Sequence, residues 1–295
     1  MKLPVPAIAL VIPVLTAGCV VSGDSQAQIL REEKRFSISG TPDVRLTTFD
    51  GSIEINAWDR REVLIDVEKR GATLEAVEAL EVKTSQHGDQ IELEVKRPRR
   101  ETFSGIGLQR PAHARLIVSV PRTANIRART GDGSIRADGT TGRLQLSTGD
   151  GSIHAANVAG ELSLNTGDGS ISVDAAEGRL ELETGDGGVE VAGKLSAVKL
   201  HTGDGSIVYR AEPGTTMTDD WDISTGDGSV ALYLPSAFDA ELDAHTGDGR
   251  IRNDLKVEAA TGDENNRRTV RARLGAGGRL LRVRTGDGSI RLRAN

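Results

Sequence analysis

Apolar and polar positions alternate along most of this chain with the two-residue period of a β-strand. Between residues 34 and 129 the alternation comes in short runs, such as 53–55 and 91–95. Runs of this kind predict half-buried strands. Residues 72–80 lack the alternation and predict one short helix. Residues 98–111 predict an exposed loop, with a basic cluster that begins at Arg97.

From residue 130 the alternation acquires a fixed longer period. The motif T-G-D-G-S-I returns every 18 residues, with a strand before each turn and another after it. Its aspartates are Asp132, Asp150, Asp168, Asp186 and Asp204, followed at wider intervals by Asp227, Asp248 and Asp287. A short fixed period indicates one structural unit stacked on copies of itself. The wide interval after Asp248 predicts two coils, with a degenerate turn at Asp263 between them.

Two topologies fit such a repeat. Asp-Gly is a common hairpin turn and would allow an antiparallel meander. A parallel solenoid, with coils about 4.8 Å apart, requires in addition that successive turns resemble one another. We therefore predict an all-β fold, a single-stranded parallel β-helix or β-solenoid with coils of 18 residues. Residues 34–129 would form an irregular N-terminal β cap and residues 130–295 the regular array. Thr130, Thr148 and Thr166 would form a column of hydroxyls.

The N-terminus has the pattern of an export signal. Lys2 precedes a short apolar run, and residues 15–19 end in the only cysteine of the chain, Cys19. A single cysteine excludes an internal disulfide. The segment resembles the lipobox of bacterial lipoproteins, which implies that residues 1–18 are removed, that Cys19 is lipidated and that residues 19–33 form a tether. An ordinary secretory signal is the alternative. Val20 favours the outer membrane and leaves open which side the protein faces.

Composition and charge agree with a thin repetitive β protein. Aromatic residues make up 3% of the chain, and there are 35 glycines. Residues 130–249 contain 6 Lys/Arg against 21 Asp/Glu, whereas residues 250–295 contain 12 against 5. This asymmetry predicts an acidic shaft with a basic tip.

The column of turn aspartates is the candidate site. Carboxylates about 4.8 Å apart repel by about 0.9 kcal/mol per neighbour in bulk water. We expect each one to accept hydrogen bonds from backbone N–H groups of its own turn. The alternative is a weak calcium contact between adjacent turns. The calcium-binding β-roll nonapeptide does not match, so we predict no cofactor and no metal site.

Catalytic patterns are weak throughout the sequence. His201 and His245 each precede a T-G-D-G turn, and we expect them to lie about two coils apart, too far to share a metal ion. No phosphate-loop motif occurs, because Asp and Gly occupy the position of the required lysine. We predict no catalytic residues, no enzyme activity and no nucleic-acid partner.

The repeated turns, the segment 49–58 (F-D-G-S-I-E-I-N-A-W) and the lipoprotein start resemble the bacterial putative-adhesin family of β-strand-repeat domains. The resemblance implies a right-handed coil and an extracytoplasmic location, and it supplies no catalytic residues. The leading hypothesis is a lipid-anchored, non-catalytic envelope protein. It would bind a glycan or another envelope polymer through repetitive faces such as the row Arg136, His154 and Ser172. The alternatives are a periplasmic scaffold or sensor with a protein partner, and a polysaccharide-acting enzyme.

Overall fold

The computed structural model describes residues 27–97, 112–257, 259–261 and 268–295, with the backbone alone at 259–261. Cys19 and the expected signal segment, the loop 98–111 and Asp263 lie outside the described residues. The described residues form 23 strands in one continuous sheet and a single short helix.

The N-terminal elements are β1 (Gln28–Ser37), β2 (Asp43–Thr47), β3 (Ile53–Trp58), β4 (Glu62–Gly71), α1 (Leu74–Glu78), β5 (Glu81–His87), β6 (Gln90–Lys96) and β7 (His113–Pro121). The regular array contains β8 (Asn125–Arg129), β9 (Ile135–Asp138), β10 (Thr141–Thr148), β11 (Ile153–Ala156), β12 (Ala159–Thr166), β13 (Ile171–Thr184), β14 (Val189–Thr202) and β15 (Ile207–Ala211). The C-terminal elements are β16 (Trp221–Thr225), β17 (Val230–Leu234), β18 (Ala240–Thr246), β19 (Ile251–Asn253), β20 (Ala259–Thr261), β21 (Thr269–Leu274), β22 (Leu280–Thr285) and β23 (Ile290–Ala294).

The middle of the chain is a stack of parallel coils. We name each coil by the aspartate of its turn. The Asp150 and Asp168 coils pair in parallel, with Leu144 opposite Leu162 and Ile153 opposite Ile171, an offset of one 18-residue repeat. This register confirms the parallel stack and excludes an antiparallel meander for these coils. The helix expected within residues 72–80 is also present, as α1, where the Thr73 hydroxyl accepts from the N–H of Ala76.

The N-terminal end does not follow chain order. The Asp50 coil, β2 and β3, pairs in parallel with the Asp132 coil on one side, where Ile53 lies opposite Ile135. On its other side it pairs with a coil made of β6 and β7, where Ile53 lies opposite Leu116. The first coil in the chain is therefore the second in space. Antiparallel strands close this end, because β5 pairs with β6, β4 with β7 and β1 with β4. The first strand, β1, begins at Gln28, within the segment 19–33 that the sequence predicts as a tether.

The C-terminal end has the same interleaved order. Ile290 of the Asp287 coil lies opposite Val230 on one side and Ile251 on the other. The last coil of the chain therefore lies between the Asp227 and Asp248 coils. Of the two coils predicted after Asp248, the Asp287 coil is present but lies before the Asp248 coil in space, and the turn at Asp263 falls outside the described residues. Strands β20 and β21 instead pair antiparallel with each other, and β21 pairs antiparallel with β18 at the end of the stack.

This order also corrects the predicted basic tip. The arginines of β21 and β22 lie beside acidic residues of earlier coils, because their strands pair with those coils. Arg273 Nε lies 2.9 Å from Glu241 Oε1, and Arg284 Nη2 lies 2.6 Å from Asp243 Oδ2. Burial alone would raise the pKa of Asp243, but the Arg284 guanidinium outweighs it and holds the pKa below its usual range.

Among the described residues, the core is one aliphatic column with a single aromatic cluster. Inward positions of the coils carry Val, Ile, Leu and Ala that are almost fully buried. The rings of Tyr209, Trp221 and Phe238 pack with centroids 5.3 Å apart at the wider interval between the Asp204 and Asp227 coils. Burial raises the pKa of Tyr209 above its usual range. The thin core explains why so few aromatic residues suffice for a chain of this length.

Two charged side chains of β4 are buried at the N-terminal end. Lys69 Nζ lies 2.6 Å from Glu32 Oε1 and donates to the carbonyl of Leu80 at 2.8 Å. Glu68, only 3% exposed, accepts from Arg31 Nη2 at 2.7 Å and also contacts Arg70. Both buried charges are therefore paired and hydrogen-bonded, as the cost of desolvation requires.

Candidate functional site

The T-G-D-G turns stack into one continuous edge of the solenoid, which we call the turn corner. In spatial order its aspartates are Asp50, Asp132, Asp150, Asp168, Asp186, Asp204, Asp227, Asp287 and Asp248. The predicted alignment of the turns is confirmed, and its last two members are exchanged relative to chain order.

Buried threonine hydroxyls join each turn to the one before it. Thr148 Oγ1 donates towards the carbonyls of Gly131 (2.9 Å) and Gly133 (2.8 Å), and it accepts from the N–H of Gly151 at 3.2 Å. The motif threonines of the later coils donate in the same way, and all are at most 5% exposed. The predicted hydroxyl column is confirmed, and each hydroxyl bridges two coils.

Glycine is required at the turn corner because neighbouring backbones approach too closely for a side chain. A Cβ added to Gly187 would lie 1.9 Å from the carbonyl oxygen of Gly169. Its neighbour Gly188 occupies the place of the motif serine, and a Cβ there would meet nothing closer than 3.9 Å. The second glycine of the motif is thus fixed by packing between coils, whereas the next position is free to vary.

The motif aspartates differ from the prediction. Within the part of the chain that the structure describes, the seven carboxylates from Asp132 to Asp287 in the spatial order accept no hydrogen bond from their own turns. They are exposed to solvent. The two ends of the column are paired instead, since Arg97 contacts Asp50 and Arg268 Nη2 lies 3.0 Å from Asp248 Oδ1. In the same described regions, no three His, Cys, Asp or Glu side chains are grouped to hold a metal ion.

A second polar column runs beside the aspartates. It consists of the exposed motif serines Ser134, Ser152, Ser170, Ser206, Ser229 and Ser289. The Oγ of Ser206 accepts from the backbone N–H of Ser229 at 3.2 Å, and the Oγ of Ser229 accepts likewise from Ser289. The turn corner therefore presents carboxylates and hydroxyls side by side at the spacing of the coils, about 4.8 Å.

The other predicted face is also aligned. Arg136, His154 and Ser172 occupy one row, because His154 pairs in register with both of the others. Glu54 precedes them, and Arg115 Nη2 lies 2.6 Å from its Oε2. This hydrogen bond from Arg115 lowers the pKa of Glu54.

The two histidines are further apart than predicted. In space His201 is followed by Ser224, then by Arg284, and only then by His245, so three coil steps separate the imidazoles. The inserted Asp287 coil adds the third step. His201 Nδ1 lies 3.0 Å from Ser224 Oγ, and His245 Nδ1 lies 2.9 Å from Thr269 Oγ1. Each imidazole thus has a neighbour in its own row and does not meet the other.

Sequence reasoning missed one concave site, at the bend opposite the turn corner. Residues from β3, β7 and the segment before β2 line a groove there, among them Trp58 and Arg122. Trp58 belongs to the 49–58 segment, but nothing in the sequence indicates that Arg122 would lie beside it.

No helix in the described regions is long and apolar enough to cross a membrane. Comparison with known proteins gave no match among the curated proteins. Among solved structures, a putative adhesin from Bacteroides fragilis is 13% identical, with 89% of this chain and 96% of that chain covered and a TM-score of 0.42. A putative adhesin from Parabacteroides distasonis is 10% identical, with 92% and 98% covered and a TM-score of 0.43. A putative lipid binding protein from the same organism is 14% identical, with 89% and 96% covered and a TM-score of 0.37.

A protein-family model also matches most of the chain. The family described as Toastrack DUF4097 matches residues 37–293, from the end of β1 to the last strand. The resemblance to an adhesin-like family of unknown function, drawn from the T-G-D-G-S-I turns, is thereby confirmed. The chain belongs to the Toastrack DUF4097 family.

Proposed function

We propose that this protein is a non-catalytic, adhesin-like protein of the cell envelope that binds a surface or envelope polymer through its turn corner. The observation that carries this proposal is the run of seven aspartates, from Asp132 to Asp287 in the spatial order, that are unpaired among the described residues and lie beside a column of serines. A polymer with hydroxyl or ammonium groups at a regular interval could donate to several of these carboxylates at once.

Repetition matters because each contact is exposed and therefore weak. A single solvated carboxylate contributes little affinity, since water competes for its hydrogen bonds. A rigid row converts the second and later contacts into intramolecular events, which raises the overall affinity without stronger individual contacts. The stacked coils supply that rigidity, because adjacent turns are joined by backbone and threonine hydrogen bonds.

The test is retention on insoluble polymers. The purified chain is incubated with peptidoglycan and with a panel of immobilised glycans, and the bound fraction is measured. The double variant Asp150→Asn/Asp168→Asn should lose most of the retention. The matched control is Glu75→Gln/Glu78→Gln, which removes the same charge from two exposed positions on α1. Failure of the unaltered chain to bind any polymer would count against the proposal, as would equal loss in both variants.

The location is part of the proposal. Lipidation at Cys19 would place the solenoid outside the cytoplasm, on a tether anchored in the outer membrane. Mass spectrometry of the mature N-terminus tests the anchor, and Cys19→Ser should release the protein from membranes. Protease treatment of intact and lysed cells distinguishes a surface-exposed adhesin from a periplasmic scaffold or sensor, because only the first is cleaved on intact cells.

A further inference from the structure

A groove of about 560 Å³ lies where β3 and β7 end, at the bend opposite the turn corner. Trp58 and Pro121 are register partners at the ends of these two strands. Thr41, which precedes β2, and Arg122, which follows β7, complete the walls. The groove exists because the β6–β7 coil packs under the Asp50 coil, which brings together segments that are remote in the chain. Its volume falls within the range typical of small-molecule sites.

The charge of the groove is positive. Three arginines line it against one carboxylate, Asp59, which is already paired with Arg122 at 2.7 Å. The guanidinium of Arg60 lies over the Trp58 ring, 4.9 Å from the ring centroid, and its Nη1 lies 3.5 Å from Glu62 Oε1. Arg61 has neither an ion pair nor a hydrogen bond with any residue that the structure describes. An anionic group entering the groove would therefore find an uncompensated, solvent-accessible guanidinium.

The second feature is the fixed indole. Trp58 is half-buried, and its Nε1 donates to the carbonyl of Glu62 at 2.9 Å. This hydrogen bond holds one edge of the ring, so the indole forms part of a preformed wall. Thr41 and Thr123 add hydroxyls around it, whereas the Ser39 hydroxyl donates to the Asp89 carboxylate at 3.2 Å. Arg60 covers one face of the ring, so a ligand packs against the part of the indole that lines the groove beside it. Such a surface suits ligands that are themselves apolar on one side and polar on the other.

These features together select a ligand class. A simple inorganic anion would use Arg61 but has no apolar surface for the indole. A neutral sugar would pack its C–H face on the indole but has no charge for Arg61. We propose that the groove binds an acidic saccharide, a uronic acid unit, with its carboxylate on Arg61 and its C–H face against Trp58. This site is separate from the turn corner and goes beyond polymer binding there.

Tryptophan fluorescence of the full chain reports on the site. The chain has two tryptophans, and Trp221 is fully buried in the core, so a ligand added from solution changes the emission of Trp58. Digalacturonate is the probe, lactose is the neutral comparison and inorganic phosphate is the simple anion. We expect a saturable change with digalacturonate alone. Equal binding of lactose, or of phosphate, would overturn the assignment, and so would no saturation with digalacturonate.

Variants at exposed positions then test the residues. Arg61→Gln should weaken digalacturonate binding at least tenfold. Arg291→Gln is the matched control, because Arg291 is also exposed and unpaired among the described residues and lies far from the groove, on β23 between the Asp227 and Asp248 coils. Unchanged affinity in Arg61→Gln, or equal loss in both variants, contradicts the proposal. Digalacturonate binding should persist in Asp150→Asn/Asp168→Asn. The proposal for the groove and the proposal for the turn corner are therefore tested independently of each other.

Discussion

Arg282 Nη1 lies 3.2 Å from Asp222 Oδ2, although 60 positions separate the two residues in the chain. The contact forms because β22 pairs directly with β16. The Asp248 coil, which comes between these two strands in the chain, pairs with the other side of β22. The last two strands, β22 and β23, therefore lie in the interior of the stack. Their arginines lie next to acidic strands, which offsets the strong charge asymmetry of the sequence.

Removal of these strands should damage more than the C-terminus. In a chain that ends at residue 278, the Asp227 and Asp248 coils lose their shared neighbour, together with the buried side chains of Leu281, Val283, Ile290 and Leu292. Each such side chain contributes about 1.5–3 kcal/mol by burial. We expect loss of hydrogen-exchange protection in β16–β18. Unchanged protection of these strands would contradict the interleaved order.

The two adjacent glycines of the Asp186 turn should respond oppositely to a side chain. Gly187→Ala places a Cβ against the carbonyl of Gly169, and we expect a loss of about 1–3 kcal/mol or more in the free energy of unfolding. Gly188→Ser restores the motif serine in open space and should change stability by less than about 0.5 kcal/mol. Denaturant unfolding measures both. Equal effects would mean that the coils are not packed at the observed distance.

The buried threonine hydroxyls should each stabilise the stack. Thr184→Val keeps the shape of the side chain but leaves the carbonyl of Gly169, which now accepts at 2.9 Å, without that donor. We expect a loss of about 1–3 kcal/mol. Thr47→Val, at an exposed strand position, is the control and should be nearly neutral. A neutral result for Thr184→Val in chemical denaturation would show that the hydroxyl bridges do not contribute.

The turn aspartates should be mutually repulsive. Asp168 has a carboxylate neighbour on each side and, among the described residues, no hydrogen-bond donor. Asp168→Asn should therefore raise the Tm slightly at low ionic strength, and the gain should vanish in 1 M salt because the Debye length falls to about 3 Å. Asp222→Asn removes a partner of Arg282 and should give no such gain.

A calcium contact would make the same variant less stable than the unaltered chain in the presence of the ion, whereas repulsion predicts a gain in Tm. If the column bound calcium, millimolar calcium would raise the Tm of the unaltered chain, and Asp168→Asn would reduce that rise. We expect calcium to leave the Tm of both chains unchanged. The thermal melts with and without the ion decide this directly.

Acid should weaken the N-terminal end through Glu68. Burial would raise its pKa, but hydrogen bonds from Arg31 and Arg70 outweigh it, so the pKa lies below its ordinary value of 4.5. The resulting stabilisation is fully present above pH 4.5 and is lost as the pH falls through the folded-state value. Glu68→Gln should lose about 1–3 kcal/mol at pH 7 and show a shallower acid dependence of unfolding. Glu81→Gln, on an exposed carboxylate, is the control; equal slopes for Glu68→Gln and the unaltered chain would contradict this.

The regular part of the fold was predictable because the 18-residue period of the turn motif itself indicates stacked coils. Identical turns at equal intervals imply parallel stacking, and buried threonines follow from their fixed place before each turn. The order of the end coils was not predictable. The turn of Asp287 has the same sequence as the turn of Asp132, so nothing in the motif specifies which coils become its neighbours.

The candidate site was predicted in part. The aspartate column was expected, but the expected hydrogen bonds within each turn are absent from the described residues, because threonine hydroxyls and glycine N–H groups satisfy one another instead. The groove at Trp58 could not be derived. Arg61 and Arg122 are remote in the chain, and they line the same groove only because β7 pairs with β3.

The interleaved ends limit how this protein can change length during evolution. A duplication of 18 residues between Asp132 and Asp204 adds a coil whose two faces match the coils already beside it. The same duplication near either end would separate strands that must find partners across a gap in chain order. Related proteins of different length should therefore differ in the number of central coils, with both closures preserved.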